Sequence, residues 1–169
     1  MERPSVRRLQ EEIKQTKPFQ SRSHAAALAI LRTADALRRA IDVRIEPHGV
    51  SAEQYNVLRI LRGAGENGLP TLEIAARLLE RNPGITRLID KLEAKDLVVR
   101  LRCETDRRQV YCKITRAGAA IVEALDEPTR EANHQLFLGL SGSQLDELTV
   151  RSRMERGGKL VSGGGFDPS

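Results

Sequence analysis

Apolar residues recur at three- and four-residue steps along most of this chain, and the points where that period stops or changes divide it into elements. From about Phe19 to Ile45, the positions Leu28, Leu31, Ala34, Leu37, Ile41 and Ile45 form the stripe of a long amphipathic helix. Pro47 and Gly49 close it. Ser51-Ala52-Glu53-Gln54 is a capping box, in which the serine side chain accepts the Gln54 amide and Gln54 reaches back. Val50 and Tyr55 stand where a hydrophobic staple belongs; Tyr55, Leu58 and Leu61 point inward, and the helix stops at Gly63-Ala64-Gly65. A short third helix follows Pro70 and presents Leu72, Ala75, Leu78 and Leu79 as its apolar face. At the break Arg81-Asn82-Pro83, Asn82 suits an N-cap and Pro83 the first helical position. The helix from there to Ala94 holds Ile85, Leu88, Ile89 and Leu92 on one side. Two helices joined by about three residues, the second with a one-sided stripe, predict a helix-turn-helix.

From Leu97 the period changes to two. Val99, Leu101 and Cys103 alternate with Val98, Arg100 and Arg102, and later Val110, Cys112 and Ile114 alternate with Tyr111 and Lys113. A register with Leu101 opposite Val110 and Val99 opposite Cys112 puts all six apolar residues on one face of a hairpin with a charged tip at Glu104-Thr105-Asp106-Arg107. Thr115 caps a second long helix, whose Ile121, Leu125, Ala132, Leu136 and Leu140 keep phase across a kink at Pro128. Ser141-Gly142-Ser143-Gln144 repeats the capping box and starts a final helix, in which the apolar pattern fails after Leu148. Residues 1–18 read as a basic arm ordered by a partner chain, and residues 157–169, rich in Gly and Ser, as a disordered tail. Three helices, a hairpin and a further helix in this order describe a mostly α, winged helix-turn-helix chain.

Composition narrows the partner. A length of 169 residues with 40% hydrophobic and 30% charged residues suits one soluble domain. The longest apolar run, Ala25 to Leu31, is far short of the ~20 residues that span a bilayer, and the amino terminus has no apolar signal core. The expectation is a cytoplasmic protein with no membrane partner. Lys and Arg number 28 against 23 acids, a net charge of +5, which favours a polyanion. Only 3% of residues are aromatic and none is Trp, which argues against base-stacking platforms for single strands and for duplex DNA.

The scattered His24, His48 and His134 and the two cysteines form no metal set, and no nucleophile–base pair emerges, so no metal, cofactor or enzyme activity is expected. Gly63-Ala64-Gly65-Glu66-Asn67-Gly68 spells a dinucleotide-binding fingerprint but follows a helix instead of a strand, so it reads as a loop. In the expected register Cys103 and Cys112 lie roughly 13 Å apart, too far for a bridge.

The helix from Pro83 to Ala94 carries the candidate chemistry. Opposite its core stripe stand Pro83, Arg87, Asp90 and Ala94, flanked by Thr86 and Lys91. Arg87 has the fork that bonds guanine edges or phosphate, Thr86 and Lys91 suit phosphate, and Asp90, one turn on, is placed to hold the fork of Arg87. On the hairpin, Arg100, Arg102, Asp106, Arg107 and Arg108 give a density of arginine that suits a narrow minor groove.

These residues together resemble the MarR family of bacterial transcriptional regulators. The likeness is carried by Gln54-Tyr55-Asn56-Val57-Leu58, by Glu73-Ile74-Ala75-Ala76-Arg77-Leu78 and most specifically by Ile85-Thr86-Arg87-Leu88-Ile89-Asp90-Lys91-Leu92-Glu93. Asp96-Leu97-Val98-Val99-Arg100, Thr105-Asp106-Arg107-Arg108 and Ile114-Thr115-Arg116-Ala117-Gly118 complete it, over roughly residues 25–125. The resemblance implies a homodimer that places a recognition helix of each subunit in the major groove and a wing in the minor groove, with a DNA-binding lobe at about 51–115. Dimerisation helices would lie at about 19–46 and 116–156.

The resemblance makes Thr86 and Arg87 groove contacts and has Asp106 brace Arg108; with the residues read from the helix and the hairpin, the candidate DNA-binding set is Asn82, Pro83, Gly84, Thr86, Arg87, Asp90, Lys91, Arg102, Asp106, Arg107 and Arg108. Many members bind small aromatic or phenolic anions between the dimerisation helices and the lobe, where His24, Arg32, His48, Tyr55 and Arg59 are the candidates in this chain. Repression relieved by such a ligand is the implied mode of action. The alternative from another class is a winged-helix protein–protein interaction module, which calls for an exposed apolar patch and no basic tip. The family's usual glycine two residues after the recognition helix is Asp96 here, a difference that bears on the angle of the wing.

Overall fold

The computed structural model describes residues 4–79, 84–102 and 110–152. The chain divides into two compact units, residues 1–133 and 134–169. In the first unit, α1 (Pro4–Glu12) packs against α2 (Arg22–Ile45). The expected partner-dependent arm is therefore a helix within the chain itself: Leu9 is buried, and Glu12 accepts from Arg32 at 2.8 Å. Ser21 caps α2 by accepting the His24 amide. The helix ends as expected in a short 3-10 turn at Glu46–His48, with Gly49 at φ +70°.

The capping box at Ser51 forms in full and starts α3 (Ala52–Ala64), which carries Tyr55, Val57, Leu58 and Leu61 into the core. Val50 is buried in the same core as Tyr55, as a staple requires. A second 3-10 turn at Gly65–Asn67 leads into β1 (Leu69–Pro70), a strand the sequence pattern did not announce, and then into α4 (Thr71–Arg77). On α4 the expected apolar face is corrected. Ile74 is the buried residue, Ala75 and Leu78 pack partly against the core, and Leu72 and Leu79 are exposed.

The helix α5 (Ile85–Glu93) buries Ile85, Leu88, Ile89 and Leu92, the stripe read from the sequence. Its N-cap is Gly84, whose carbonyl accepts the Leu88 amide, and the helix starts two residues later than Pro83. Asn82 and Pro83 lie outside the described residues.

The strands β2 (Val98–Arg102) and β3 (Val110–Ile114) form the hairpin, and β1 pairs on the other side of β3, giving the order β1-β3-β2. The register differs by one residue from the expected one: Arg100, not Val99, lies opposite Cys112, and Leu101 faces Tyr111. Val98 and Cys112 are consequently buried while Val99 and Leu101 are 40% and 41% exposed, because a one-residue shift moves every side chain to the other face. Cys103 lies outside the described residues; Cys112 is buried, and burial pushes its thiol up, with a partial offset from the Thr71 hydroxyl.

At the hairpin's base, Gly68 sits just before β1 at φ +64°, and a β-carbon there would meet the Cys112 carbonyl oxygen at 2.5 Å. Thr115 caps α6 (Arg116–Phe137), accepting the Gly118 amide at 3.1 Å. Gly118 lets this helix lie directly on the hairpin base, since a β-carbon would collide with the Leu97 carbonyl. Along α6, Val122, Leu125 and Ala132 are buried, and Pro128 sits inside the helix as read. The core thus joins α3, α4, α5, the hairpin and α6, and each fully buried Leu or Ile in it contributes about 1.5–3 kcal/mol of transfer free energy. This core holds α5 by its inner side and leaves the outer side free.

In the second unit, Ser141 and Gln144 close the second capping box, with Ser141 donating its amide to Gln144 at 2.8 Å, and start α7 (Gly142–Ser152). None of its residues is buried; Leu138 and Val150 are strongly exposed. No helix among the described residues is long and apolar enough to cross a membrane.

Candidate nucleic-acid interface

Four consecutive core contacts on α5 decide what its other side presents. With Ile85, Leu88, Ile89 and Leu92 inward, Thr86, Arg87, Asp90 and Lys91 are exposed on the opposite face. Among the described residues neither Arg87 nor Lys91 makes a hydrogen bond or ion pair, and both are exposed, so both cations are available to an anion. An open groove runs beside this face, walled by Glu46, Gly49, Val50, Ser51, Glu53 and Gln54 on one side and by Gly84, Arg87, Leu88, Lys91 and Lys95 on the other.

Lys95 bridges the two walls of the groove by donating to the Gly49 carbonyl at 2.6 Å and to Gln54 Oε1 at 3.2 Å. That contact helps satisfy the buried Gln54, whose side-chain carbonyl accepts from both Lys95 and the Ser51 amide. In the groove Glu53 accepts from the Ser51 hydroxyl at 2.7 Å. That bond and a backbone hydrogen bond, with smaller help from Arg38 and Lys91, hold its carboxyl below the usual range. Sequence reading did not single out Lys95 or this groove; the signal was the four-residue step from Lys91 to Lys95.

Asp90 does not hold Arg87. Its carboxylate accepts from Arg100 Nη2 at 2.6 Å, while Arg100 Nη1 donates to Glu93 Oε2 at 2.5 Å and Nη2 also reaches the Thr86 carbonyl at 3.3 Å. The register explains the exchange of partners: Arg100 shares a sheet face with Cys112 and is turned toward α5, so its guanidinium lies along that helix. Partial burial works against its charge, and the hydrogen bonds it donates to Asp90 and then to Glu93 outweigh this, raising the guanidinium's pKa above its ordinary value. Arg100 is thereby occupied within the lobe, unlike the free basic residue expected on the hairpin.

The end of α5 is equally defined. The Leu97 amide returns to the Leu92 carbonyl and the Asp96 amide to the Glu93 carbonyl, the two bonds of a Schellman ending, with Asp96 at φ +56°. The left-handed turn that a glycine would make is thus kept by an aspartate. The Asp96 carbonyl accepts from the Thr115 hydroxyl at 2.7 Å, tying the exit of α5 to the start of α6. The backbone of Arg102 lies at the end of β2, and Asp106, Arg107 and Arg108 lie outside the described residues.

The candidate ligand residues separate. Tyr55 is buried with its hydroxyl 3.3 Å from the Thr129 hydroxyl, and the Arg59 guanidinium stands 5.9 Å from its ring centre. Arg32 is paired with Glu12 on α1. His24 meets Phe19 edge-on at 5.8 Å, and its buried Nδ1 has no partner among the described residues. His48 is exposed in the turn after α2. Among the described residues no hydrogen bond, ion pair or ring contact joins His24, Arg32 or His48 to Tyr55 or Arg59.

The MarR family model matches residues 50–110, the stretch from α3 to the first residue of β3. A MarR transcription factor from Planctomyces limnophilus, known from its crystal structure, is 36% identical, with a TM-score of 0.62 over 79% of this chain and 97% of its own. A mutant MarR from Escherichia coli, solved in complex with operator DNA, is 25% identical with a TM-score of 0.67, over 74% of this chain and 89% of its own. The homoprotocatechuate degradative operon repressor of Escherichia coli is 24% identical over 122 residues, which are 72% of this chain and 81% of the repressor. With a relative above 30% identity spanned almost throughout, and with the winged helix-turn-helix built as described, this chain belongs to the MarR family of transcriptional regulators.

Proposed function

We propose that the protein is a sequence-specific double-stranded DNA-binding regulator in the cytoplasm, a repressor rather than an enzyme, acting as a homodimer on a palindromic site. The observation that carries this reading is the outer face of α5, where Arg87 and Lys91 stand exposed beside Thr86 on a helix fixed by four buried residues. Such a face suits a major groove, where Arg87 bonds guanine and Thr86 and Lys91 bond phosphate. The operator complex of the Escherichia coli relative supports the same use of this lobe.

In this reading the lobe is about 51–115, and Asn82, Pro83, Gly84, Asp90, Arg102, Asp106, Arg107 and Arg108 complete the interface, with Asp106 bracing Arg108 by family resemblance. The helices at about 19–46 and 116–156 hold the dimer. Ile30, Leu31 and Val43 on α2 are 64–68% exposed in the single chain, and a second subunit would cover them. Half-sites would then lie roughly one turn, about 34 Å, apart. A small aromatic or phenolic anion is the ligand class that suits Tyr55 with Arg59, an aromatic ring beside a cation.

Selection of bound sequences from a random duplex pool, with affinity measured at two salt concentrations, tests this. The expected result is a palindromic site and a steep salt slope. Arg87→Ala should weaken that site by about 1–3 kcal/mol, roughly 5- to 150-fold, while leaving scrambled DNA little changed. Equal losses on both DNAs would reduce Arg87 to a phosphate contact, and no binding at low salt would refute the function.

A further inference from the structure

We propose that Arg100 is a positioning residue that straps the wing to the recognition helix, and that Asp90 serves recognition as the anchor of this strap and not as a contact to a base. The proposal deepens the DNA-binding reading and rests on it. The guanidinium touches α5 at Thr86, Asp90 and Glu93, one point on each of three successive turns. The Arg100 amide adds a fourth bond, to Glu93 Oε1 at 3.3 Å, so both backbone and side chain of β2 are tied to the helix.

The Arg100 side chain is 24% exposed and both its terminal nitrogens are engaged, which leaves it poorly placed for phosphate. One of those bonds ends on the carbonyl immediately before Arg87, so the strap holds the turn that presents the proposed base-reading side chain. In the other direction β2 continues through Arg102 into the wing tip. Rotation of the hairpin against α5 must break charge-assisted bonds, which are short and directional. The strap also sets positive charge beside a carboxylate that would otherwise repel the DNA backbone on the exposed face of α5. An aspartate with its carboxylate committed to Arg100 has lost part of the acceptor capacity needed to read a cytosine amino group.

A double-mutant cycle tests this. Arg100→Met, Asp90→Asn and the pair are compared by hydrogen exchange of the free protein and by affinity for the operator selected with the parent protein. Base preference is then re-selected for Asp90→Asn. The strap predicts faster exchange in β2 and α5 for each single variant. It also predicts a roughly tenfold loss of operator affinity in each, with the pair no worse than the weaker single. Asp90→Asn should leave base preference unchanged, and Arg100→Lys should recover part of the loss. If Arg100→Met does not fold, the same cycle with Arg100→Lys carries the comparison.

Additive losses together with a changed base preference for Asp90→Asn would overturn the proposal, making Asp90 a reading residue. Unchanged exchange with a salt slope lowered by about one would also overturn it, placing Arg100 on a phosphate. If the parent protein enriches no site, the DNA-binding reading fails and the recognition role fails with it. The exchange data, which need no DNA, then report separately on whether the strap holds the free lobe together.

Discussion

Asp96 is the residue whose replacement tests the geometry around α5 most directly. It holds φ +56° at the Schellman ending of that helix, a conformation that costs an L-residue about 1–2 kcal/mol, with aspartate near the lower figure. Its carboxylate also stands at the negative end of the helix, unfavourable by about 0.3–1 kcal/mol and near the lower figure because the residue is exposed. Among the described residues no hydrogen bond to that carboxylate offsets either cost. Asp96→Gly removes both, against about 0.5–1 kcal/mol of additional conformational entropy lost by glycine on folding. The net expectation is a gain of about 0.3–0.8 kcal/mol, seen as a higher denaturation midpoint at constant m and as about 1–3 °C in Tm.

Asp96→Ala separates the two terms, since it removes the charge while keeping a β-carbon at positive φ. It should be no more stable than the parent. Because the parent backbone already makes the left-handed turn, Asp96→Gly should bind the selected DNA with unchanged affinity. An alanine variant as stable as the glycine variant would refute the backbone account and leave charge as the cause. A changed DNA affinity would refute the view that the aspartate reproduces the glycine turn.

Two further predictions concern the frame of the lobe. Gly118→Ala should destabilise by about 2 kcal/mol despite better helix propensity, because the added carbon meets the Leu97 carbonyl and the Ile114 side chain, and a backbone oxygen cannot swing aside. Gly63→Ala, with nothing near the added carbon on α3, should be neutral or up to about 1 kcal/mol stabilising; urea titrations that rank the two in the opposite order would refute this. Arg62 holds Asp126 through bonds of 2.6 and 2.8 Å, and these lower the aspartate's pKa. Asp126 is therefore ionised more readily folded than unfolded. Its contribution is fully present above the ordinary aspartate value of about 3.9 and is lost as pH falls through the lowered value. Asp126→Asn should reduce the fall in stability below about pH 4, and an unaltered acid limb in denaturation curves would show that solvent screens the pair completely.

Helices were legible in the sequence wherever a period and a cap coincided. Ser51, Gln54 and the stripe Ile85, Leu88, Ile89, Leu92 each encode a local preference that the tertiary structure has no cause to override, and the exposed face with Arg87 and Lys91 follows from the buried one by geometry. Leu72 misled because a short helix can place a leucine at the right step and still turn it outward, Leu79 because the helix stops at Arg77 before reaching it, and Ile74 alone takes the fully buried position. β1 left no signal, since two residues carry no alternation and Pro70 donates no ladder bond, which suits it to the edge that it occupies.

The hairpin register is the instructive failure. Leu97, Val98 and Val99 are consecutive apolar residues, so both phases of a two-residue period offer a plausible inner face. Choosing the phase that collects the most apolar side chains puts Arg100 outward, where a charge normally belongs. The phase observed turns Arg100 inward, and only the carboxylates of Asp90 and Glu93, one turn apart on α5, make that possible. The information was present, though not in the strand: two acids spaced i, i+3 at the end of the helix, followed after seven residues by an arginine in the less apolar phase, form a complementary set. A charge in the disfavoured phase of a strand is evidence against that phase only until the facing element has been searched for its counter-charge. Here that search changes the register, the partner of Asp90 and the role of Arg100 together.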